Sequence, residues 1–200
     1  MLPTIEWKTD HVLMVDQRKL PTQEKYVELR TGREVSRAIE KMVIRGAPAI
    51  GVAAAMGLAL GVTKSKARGS TTLAAEFYKL CDIMAATRPT AVNLFWAIER
   101  MKRVFSRAHG EGRSPGEIGK TMVAEARLIH DEDVESCRAM GAHGSALLPQ
   151  SGRVLTHCNA GALATSGYGT ALGVIRSAVE SGKSIAVYAD ETRPFLQGAR

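Results

Sequence analysis

The chain has 200 residues, 45% hydrophobic and 24% charged, a composition typical of a soluble globular protein with one large domain or two small ones. Its net charge of +7 comes from scattered Lys and Arg residues, and with only 5% aromatic residues this disfavours a nucleic-acid-binding surface. Three widely spaced cysteines disfavour a disulfide framework or a zinc site and favour the cytoplasm.

The first thirty residues predict a small antiparallel sheet. Three β-prone segments, at about 4–7, 11–16 and 25–29, are separated by polar and proline-containing turns. The capping-box pattern from Thr31 to Glu34 then predicts a helix that runs to about Val43.

Three more helices are predicted at about 48–64, 71–86 and 90–108. The first of them contains an uncharged run that is rich in Gly and Ala, which indicates a closely packed buried helix rather than a membrane span. The glycine-rich break at 109–113 predicts a hinge or a domain boundary.

Two further helices are predicted at about 114–131 and 133–148, the first of them opened by a capping box at Ser114. From Val154 the pattern becomes strand, turn, helix and strand, which is typical of a βαβ unit in a parallel sheet.

The predicted fold class is therefore α/β. An N-terminal α+β domain, with a small antiparallel sheet and helices, covers residues 1–113. Residues 114–200 form connecting helices and the first βαβ unit of a Rossmann-like domain. Because two parallel strands leave faces and edges uncovered, we expect the rest of that domain to lie beyond Arg200.

Two arginines at predicted helix starts indicate an anion site. Arg45 precedes Gly46 and Ala47, whose N–H groups would point outward from the first turn of a helix. Arg88 precedes Pro89 at a second helix start. The two together could form a divided phosphate cradle, and two surface arginines before ordinary helix starts remain the alternative.

Cys158 is predicted to be the last residue of its strand, where open parallel sheets bind ligands. A helix start nearby would favour the thiolate, although an inert core cysteine fits the pattern equally well. His157 is expected on the opposite face of the strand. Glycines at 167–173 resemble a dinucleotide fingerprint with the wrong spacing, so a nicotinamide enzyme is a weak alternative.

Charges of both signs crowd the end of the last predicted strand. Asp190 and Glu191 could form a network with Arg193, either structural or ligand-orienting, and a solvated loop is the alternative. Gln197 could donate a hydrogen bond to a sugar hydroxyl.

Five segments taken together resemble the methylthioribose-1-phosphate isomerase family. Its superfamily also contains ribose-1,5-bisphosphate isomerase and the α, β and δ regulatory subunits of the eukaryotic initiation-factor exchange complex. The segments are RGAPAIG at 45–51, RPTAVNL at 88–94, DVESCRAMGAHG at 133–144, LTHCNAGALATSGYGTALGVIR at 155–176 and DETRPFLQGAR at 190–200.

The resemblance implies an aldose–ketose isomerase of methionine salvage that converts 5-methylthio-α-D-ribose 1-phosphate to 5-methylthioribulose 1-phosphate. It implies a homodimer without a metal or an organic cofactor. Composition adds the expectation of a cytoplasmic protein without a nucleic-acid or membrane partner. Cys158 would be catalytic, and the substrate would be bound by Arg45, Gly46, Ala47, Arg88 and Gln197.

One part of the family pattern is not found in the 200 residues. The catalytic aspartate of the family and an asparagine–lysine substrate contact follow the segment that corresponds to 190–200, so we expect this chain to be inactive by itself. Two alternatives remain: ribose-1,5-bisphosphate isomerase, and a non-catalytic regulatory subunit related to the exchange complex.

Overall fold

A computed structural model describes residues 3–199, so Met1, Leu2 and Arg200 lie outside the description. The strands are β1 (Ile5–Trp7), β2 (Val12–Val15), β3 (Tyr26–Leu29), β4 (Ser151–Thr156) and β5 (Ser184–Ala189). The helices are α1 (Gly32–Glu40), α2 (Ala47–Thr63), α3 (Ser70–Ala85), α4 (Val92–Gly110), α5 (Pro115–Ala146) and α6 (Ala171–Glu180), with a 3₁₀ turn at Ala162–Ala164.

The antiparallel sheet predicted near the N-terminus is confirmed. Its strands follow the order β1-β2-β3, with Trp7 opposite Val12 and Val12 opposite Leu29. Ile5, Val12 and Met14 are buried in the main hydrophobic core, against which the helices also pack. The sheet therefore has one face on the core.

Helix α1 begins as predicted and ends earlier than predicted. Thr31 and Glu34 form the capping box, with each side chain accepting a backbone N–H of the other. The predicted end at Val43 is wrong, because the helix stops at Glu40 and Met42 adopts a positive φ of 57°. The chain reverses there, and the Val43 carbonyl accepts a hydrogen bond from the Gln17 N–H.

Helix α2 is the central element of the core. It is apolar on every side and buried over most of its length, and α1, α3, α4 and α5 pack around it. Its small residues allow close approach, since a Cβ at Gly57 would lie 2.4 Å from Met84 Cε. Within residues 3–199, no helix has the length and apolarity needed to cross a membrane.

The glycine-rich break is shorter than predicted, and the two helices predicted after it are one. Helix α4 continues to Gly110, and α5 starts at Pro115 behind its Ser114 capping box. The predicted interruption near Asp131 is wrong, because α5 runs through 32 residues. Neither proline nor glycine interrupts it there, and Arg100 of α4 binds Glu132 on its surface.

Helix α5 contacts both halves of the chain. Its first half contributes Ile118, Met122 and Ile129 to the main core, whereas its second half packs on α6. That second contact is close, because a Cβ at Gly144 would lie 2.5 Å from Val174 Cγ2. The division into domains at residue 113 stays a prediction.

The βαβ unit is confirmed. Strands β4 and β5 are parallel, with Ser151 opposite Ser184 and Thr156 opposite Ala189, and α6 connects them. A small antiparallel sheet, a set of helices and a parallel pair of strands give the predicted mixed α/β class. Cys158 is not the last strand residue, since β4 ends at Thr156 and Cys158 has a φ of 73°.

Helix α5 is buried against α2 along only part of its length. We therefore expect the same Met→Ala substitution to lower stability by different amounts at two positions of α5. Met122 is fully buried, whereas Met140 is 44% exposed. We expect Met122→Ala to lower the free energy of unfolding by about 2–4 kcal/mol and Met140→Ala to change it by about 0.5 kcal/mol. Denaturant unfolding of both variants measures the difference, and equal losses would contradict the packing described.

Candidate functional site

One cavity brings together the six site residues that the family resemblance implies. It has a volume of about 470 Å³ and lies where the start of α2, the loop before α4, the loop after β4 and the segment after β5 meet. Its lining includes Arg45, Gly46, Ala47, Arg88, Cys158 and Gln197. The other lining residues are Met42, Pro48, Ile50, Thr90, Ala91, Asn159, Ala164, Thr170 and Phe195.

Arg45 is a buried cation without a carboxylate partner among the described residues. Only 7% of its surface is exposed, and its Nη2 atom is buried with no hydrogen-bond partner. Its Nη1 atom donates to the Phe195 carbonyl at 3.4 Å, and its guanidinium carbon lies 4.8 Å from the centre of the Phe195 ring. Burial, and secondly the charge of Arg88, lowers the pKa of Arg45.

The cavity has a positive electrostatic character. Both charged side chains that line it, Arg45 and Arg88, are cationic, and its described lining contains no carboxylate. Helix α2 begins at this cavity with Gly46 as its N-cap, and the first turn of the helix carries no acidic residue. The positive end of the helix dipole therefore adds to the two arginines.

Gly46 lies very close to the backbone of Ala164 in the loop after β4. It has a φ of 104°, and a Cβ on it would lie 2.3 Å from Ala164 Cα. Only glycine combines this backbone conformation with so close an approach. Ala47 follows as the first residue of α2, and Arg88 lies in the loop that ends at the Ala91 N-cap of α4.

Buried hydrogen bonds hold the loop after β4 in place. The Thr4 hydroxyl donates to the Ala162 carbonyl at 2.7 Å, and the Gln17 amide donates to the Leu163 carbonyl at 2.7 Å. On the other side, a carboxylate oxygen of Asp133 accepts the Ser166 N–H at 2.6 Å. The N-terminal sheet and α5 thus fix the loop that carries Cys158.

Cys158 is the one exposed cysteine of the three, whereas Cys81 and Cys137 are buried. Its positive φ is rare for a residue that is not glycine. Such backbone strain concentrates at functional sites, where the surrounding structure holds it. The thiol is therefore accessible in the cavity that the two arginines make electropositive.

Asn159 lines the same cavity and was missed by the sequence analysis. Its Nδ2 atom is buried without a hydrogen-bond partner, as is Nη2 of Arg45. A buried donor left unpaired costs about 1–3 kcal/mol, and both of these unpaired donors belong to residues that line the one cavity. The signal in the sequence was an amide side chain in a segment of otherwise small residues.

Gln197 enters the cavity from a turn after β5. The carboxylate of Glu191 shapes this turn by accepting the N–H groups of Thr192 and Gly198, each at 2.8 Å. These hydrogen bonds lower the pKa of Glu191, with the N–H of Thr192 as the largest cause. Among the described residues Arg193 forms no direct ion pair, and its charge is only a minor cause of the lowered pKa of Glu191, so the predicted arginine–carboxylate network lacks a direct contact there.

His157 and Asp190 meet at the ends of the two parallel strands. The His157 Nδ1 atom lies 3.2 Å from a carboxylate oxygen of Asp190, and both side chains are largely exposed. Neither residue lines the cavity. Within residues 3–199, no three His, Cys, Asp or Glu side chains are grouped as they would be to hold a metal ion.

The chain is similar to curated bacterial proteins. It is 58% identical over 200 residues to methylthioribose-1-phosphate isomerase of Koribacter versatilis, a match that covers 100% of this chain and 56% of that protein. It is 57% identical over 197 residues to the same enzyme of Geobacter metallireducens, covering 98% and 56% respectively. The chain thus spans little more than half the length of these relatives.

Two solved structures share the fold over the whole chain, each with 44% sequence identity. One is 5-methylthioribose 1-phosphate isomerase from Pyrococcus horikoshii, with a TM-score of 0.93 and 55% of that chain covered. The other is the translation initiation factor eIF-2B subunit delta from A. fulgidus, with a TM-score of 0.88 and 57% covered. Residues 43–200 match the Initiation factor 2 subunit family, and the chain belongs to that family.

Proposed function

We propose that the protein is an aldose–ketose isomerase that converts 5-methylthio-α-D-ribose 1-phosphate to 5-methylthioribulose 1-phosphate. The observation that carries the proposal is a cavity with two arginines, no carboxylate in its described lining and an accessible thiol. The names of the bacterial relatives at 57–58% identity support the same reaction.

The positive groups in the cavity suit a phosphate. The Arg45 and Arg88 guanidinium groups and the N–H groups at the start of α2 would bind its oxygens. The buried Nη2 atom of Arg45 has no hydrogen-bond partner in the protein. Gln197 and Asn159, on the same cavity, would donate to sugar oxygens.

The reaction needs a proton on the ring oxygen because the phosphate on C1 blocks opening to a free aldehyde. The ring C1–O bond breaks and the ring oxygen takes the proton. The hydrogen on C2 moves to C1, and the C2 hydroxyl releases its proton as it becomes the carbonyl, so one proton is taken up and one is released. Cys158 would stand beside C1 and C2 and stabilise the transition state. The described lining of the cavity contains no carboxylic acid that could donate this proton.

The setting of the reaction follows from the same proposal. We expect a cytoplasmic homodimer that acts in methionine salvage and that needs neither a metal nor an organic cofactor. A phosphorylated sugar is then its partner, rather than nucleic acid or a membrane.

The similarity to the eIF-2B delta structure supports a second candidate, a non-catalytic subunit that binds a sugar phosphate or a nucleotide. Ribose-1,5-bisphosphate isomerase is the nearest catalytic alternative. Both would use the same phosphate-binding groups, so substrate turnover separates the three.

The first prediction concerns turnover by the full-length protein. We expect it to convert methylthioribose 1-phosphate, and we expect Cys158→Ala and Cys158→Ser to lower kcat by at least about 100-fold, because the thiol acts in the transition state. Product formation, measured beside thermal unfolding of each variant, tests this.

Each other result of this assay has a definite meaning. Full activity in both variants would remove Cys158 from the mechanism. Turnover of ribose 1,5-bisphosphate alone would identify the neighbouring isomerase, and no turnover of either sugar would favour the regulatory subunit.

The second prediction concerns the thiols. We expect iodoacetamide to alkylate Cys158 and to spare Cys81 and Cys137, since only Cys158 is exposed and burial raises the pKa of Cys81 to about 12. Mass spectrometry of the native protein identifies the modified residue. Inorganic phosphate should slow the reaction at Cys158, and labelling of Cys81 at an equal rate would contradict the burial.

The third prediction distinguishes the loss of a phosphate contact in the cavity from a general loss of positive charge. We expect Arg88→Ala to weaken the binding of inorganic phosphate by about tenfold or more, because it removes a charged donor from the cavity. Arg68→Ala is the matched control, since Arg68 is exposed outside the cavity and the change in net charge is the same. Calorimetric titration measures both, and equal effects would argue against a phosphate site at Arg88.

A further inference from the structure

The contacts of Arg45 with Phe195 stand out among the contacts of the cavity. The Phe195 ring lies 4.8 Å from the guanidinium carbon, and its backbone carbonyl accepts a hydrogen bond from Nη1 at 3.4 Å. Phe195 therefore contacts the Arg45 guanidinium in two ways, through its ring and through its backbone carbonyl. Phe195 is itself 48% exposed, so its position is not explained by burial in a core.

A buried guanidinium needs compensation for the water it loses. A carboxylate partner would provide this compensation, but Arg45 has no carboxylate partner among the described residues. The nearby charge of Arg88 is positive and repels the Arg45 guanidinium. The face of an aromatic ring attracts a cation through its quadrupole, more strongly when the cation is desolvated. Unlike a carboxylate, the ring does not neutralise the charge, so the cation keeps its attraction for an anionic ligand.

We propose that Phe195 is a positioning residue that holds the Arg45 guanidinium in the orientation needed to bind a phosphate-bearing ligand. The ring contacts the guanidinium and the carbonyl accepts a hydrogen bond from Nη1, whereas the buried Nη2 has no hydrogen-bond partner in the protein. This inference rests on the phosphate-binding role proposed for Arg45. Phe195 acts through Arg45 and not on the reacting atoms.

The turn that carries Phe195 is held by its own hydrogen bonds. The Leu196 N–H donates to the Thr192 carbonyl at 3.1 Å, and the Gln197 N–H donates to the Thr192 hydroxyl at 3.3 Å. Phe195 and Gln197 therefore reach the cavity from one short turn. The same turn both orients the arginine and presents the amide of Gln197 to the ligand.

The test is a double-mutant cycle that uses inorganic phosphate as the probe. We expect Phe195→Leu, which keeps an apolar side chain and removes the aromatic face, to weaken phosphate binding by about five- to tenfold. Phe195→Tyr keeps the aromatic face and should stay within about twofold of the unchanged protein. In an Arg45→Gln background, which keeps amide donors, Phe195→Leu should have no further effect. Titration of the full-length protein followed by ³¹P NMR measures each affinity.

Each contrary result overturns the inference in a different way. Unchanged affinity in Phe195→Leu would show that the ring does not matter for the ligand. An equal loss with and without Arg45 would show that Phe195 acts on the turn and not through the arginine. Failure of Phe195→Tyr to keep the affinity would exclude the aromatic face as the cause.

The experiments also distinguish failure of the positioning role of Phe195 from failure of the proposed isomerase reaction. Phosphate binding with the expected coupling, but no turnover of methylthioribose 1-phosphate, would reject the isomerase and leave the role of Phe195 intact. Turnover with no coupling between Phe195 and Arg45 would reject the positioning role alone. Absence of phosphate binding by the unchanged protein would overturn the positioning role and the phosphate site together.

Discussion

The contact between Gly46 and the backbone of Ala164 brings two distant parts of the chain to a common cavity. Gly46 caps α2, the most buried helix, and Ala164 ends the 3₁₀ turn a few residues after Cys158. A Cβ would not fit between them, so the start of α2 and the loop with the thiol can lie this close only with glycine at this position. Buried hydrogen bonds from Thr4 and Gln17 hold the same loop from the side of the N-terminal sheet.

The electrostatics of the cavity follow from that arrangement. Arg45 stands immediately before the N-cap of α2 and is buried, although Ala47 at the first position of the helix is exposed. Its charge is compensated by an aromatic ring and a carbonyl instead of a carboxylate. Arg45 and Asn159 each keep one side-chain donor without a protein partner, as the anion site that we propose requires.

Local patterns in the sequence predicted most of the helices and strands. The capping boxes at Thr31 and Ser114 begin helices because they satisfy N–H groups within a few residues, and polar and proline-containing turns separate the β-prone segments that form the first three strands. The errors lie where local signals are weak. A helix end at Val43 and a break near Asp131 were wrong, because the chain reversal at Met42 and the continuous packing of α5 depend on distant partners.

The sequence by itself determined the elements and their class, and it singled out Arg45, Arg88, Cys158 and Gln197 through motifs at helix starts and strand ends. Only the tertiary structure decided that these residues, up to 152 positions apart between Arg45 and Gln197 (197 minus 45), share one cavity. It also brought Asn159 and Phe195 into that cavity. The reason is physical: local patterns report what a backbone segment favours, whereas burial of a charge and the loss of a hydrogen-bond partner arise only when distant segments pack together.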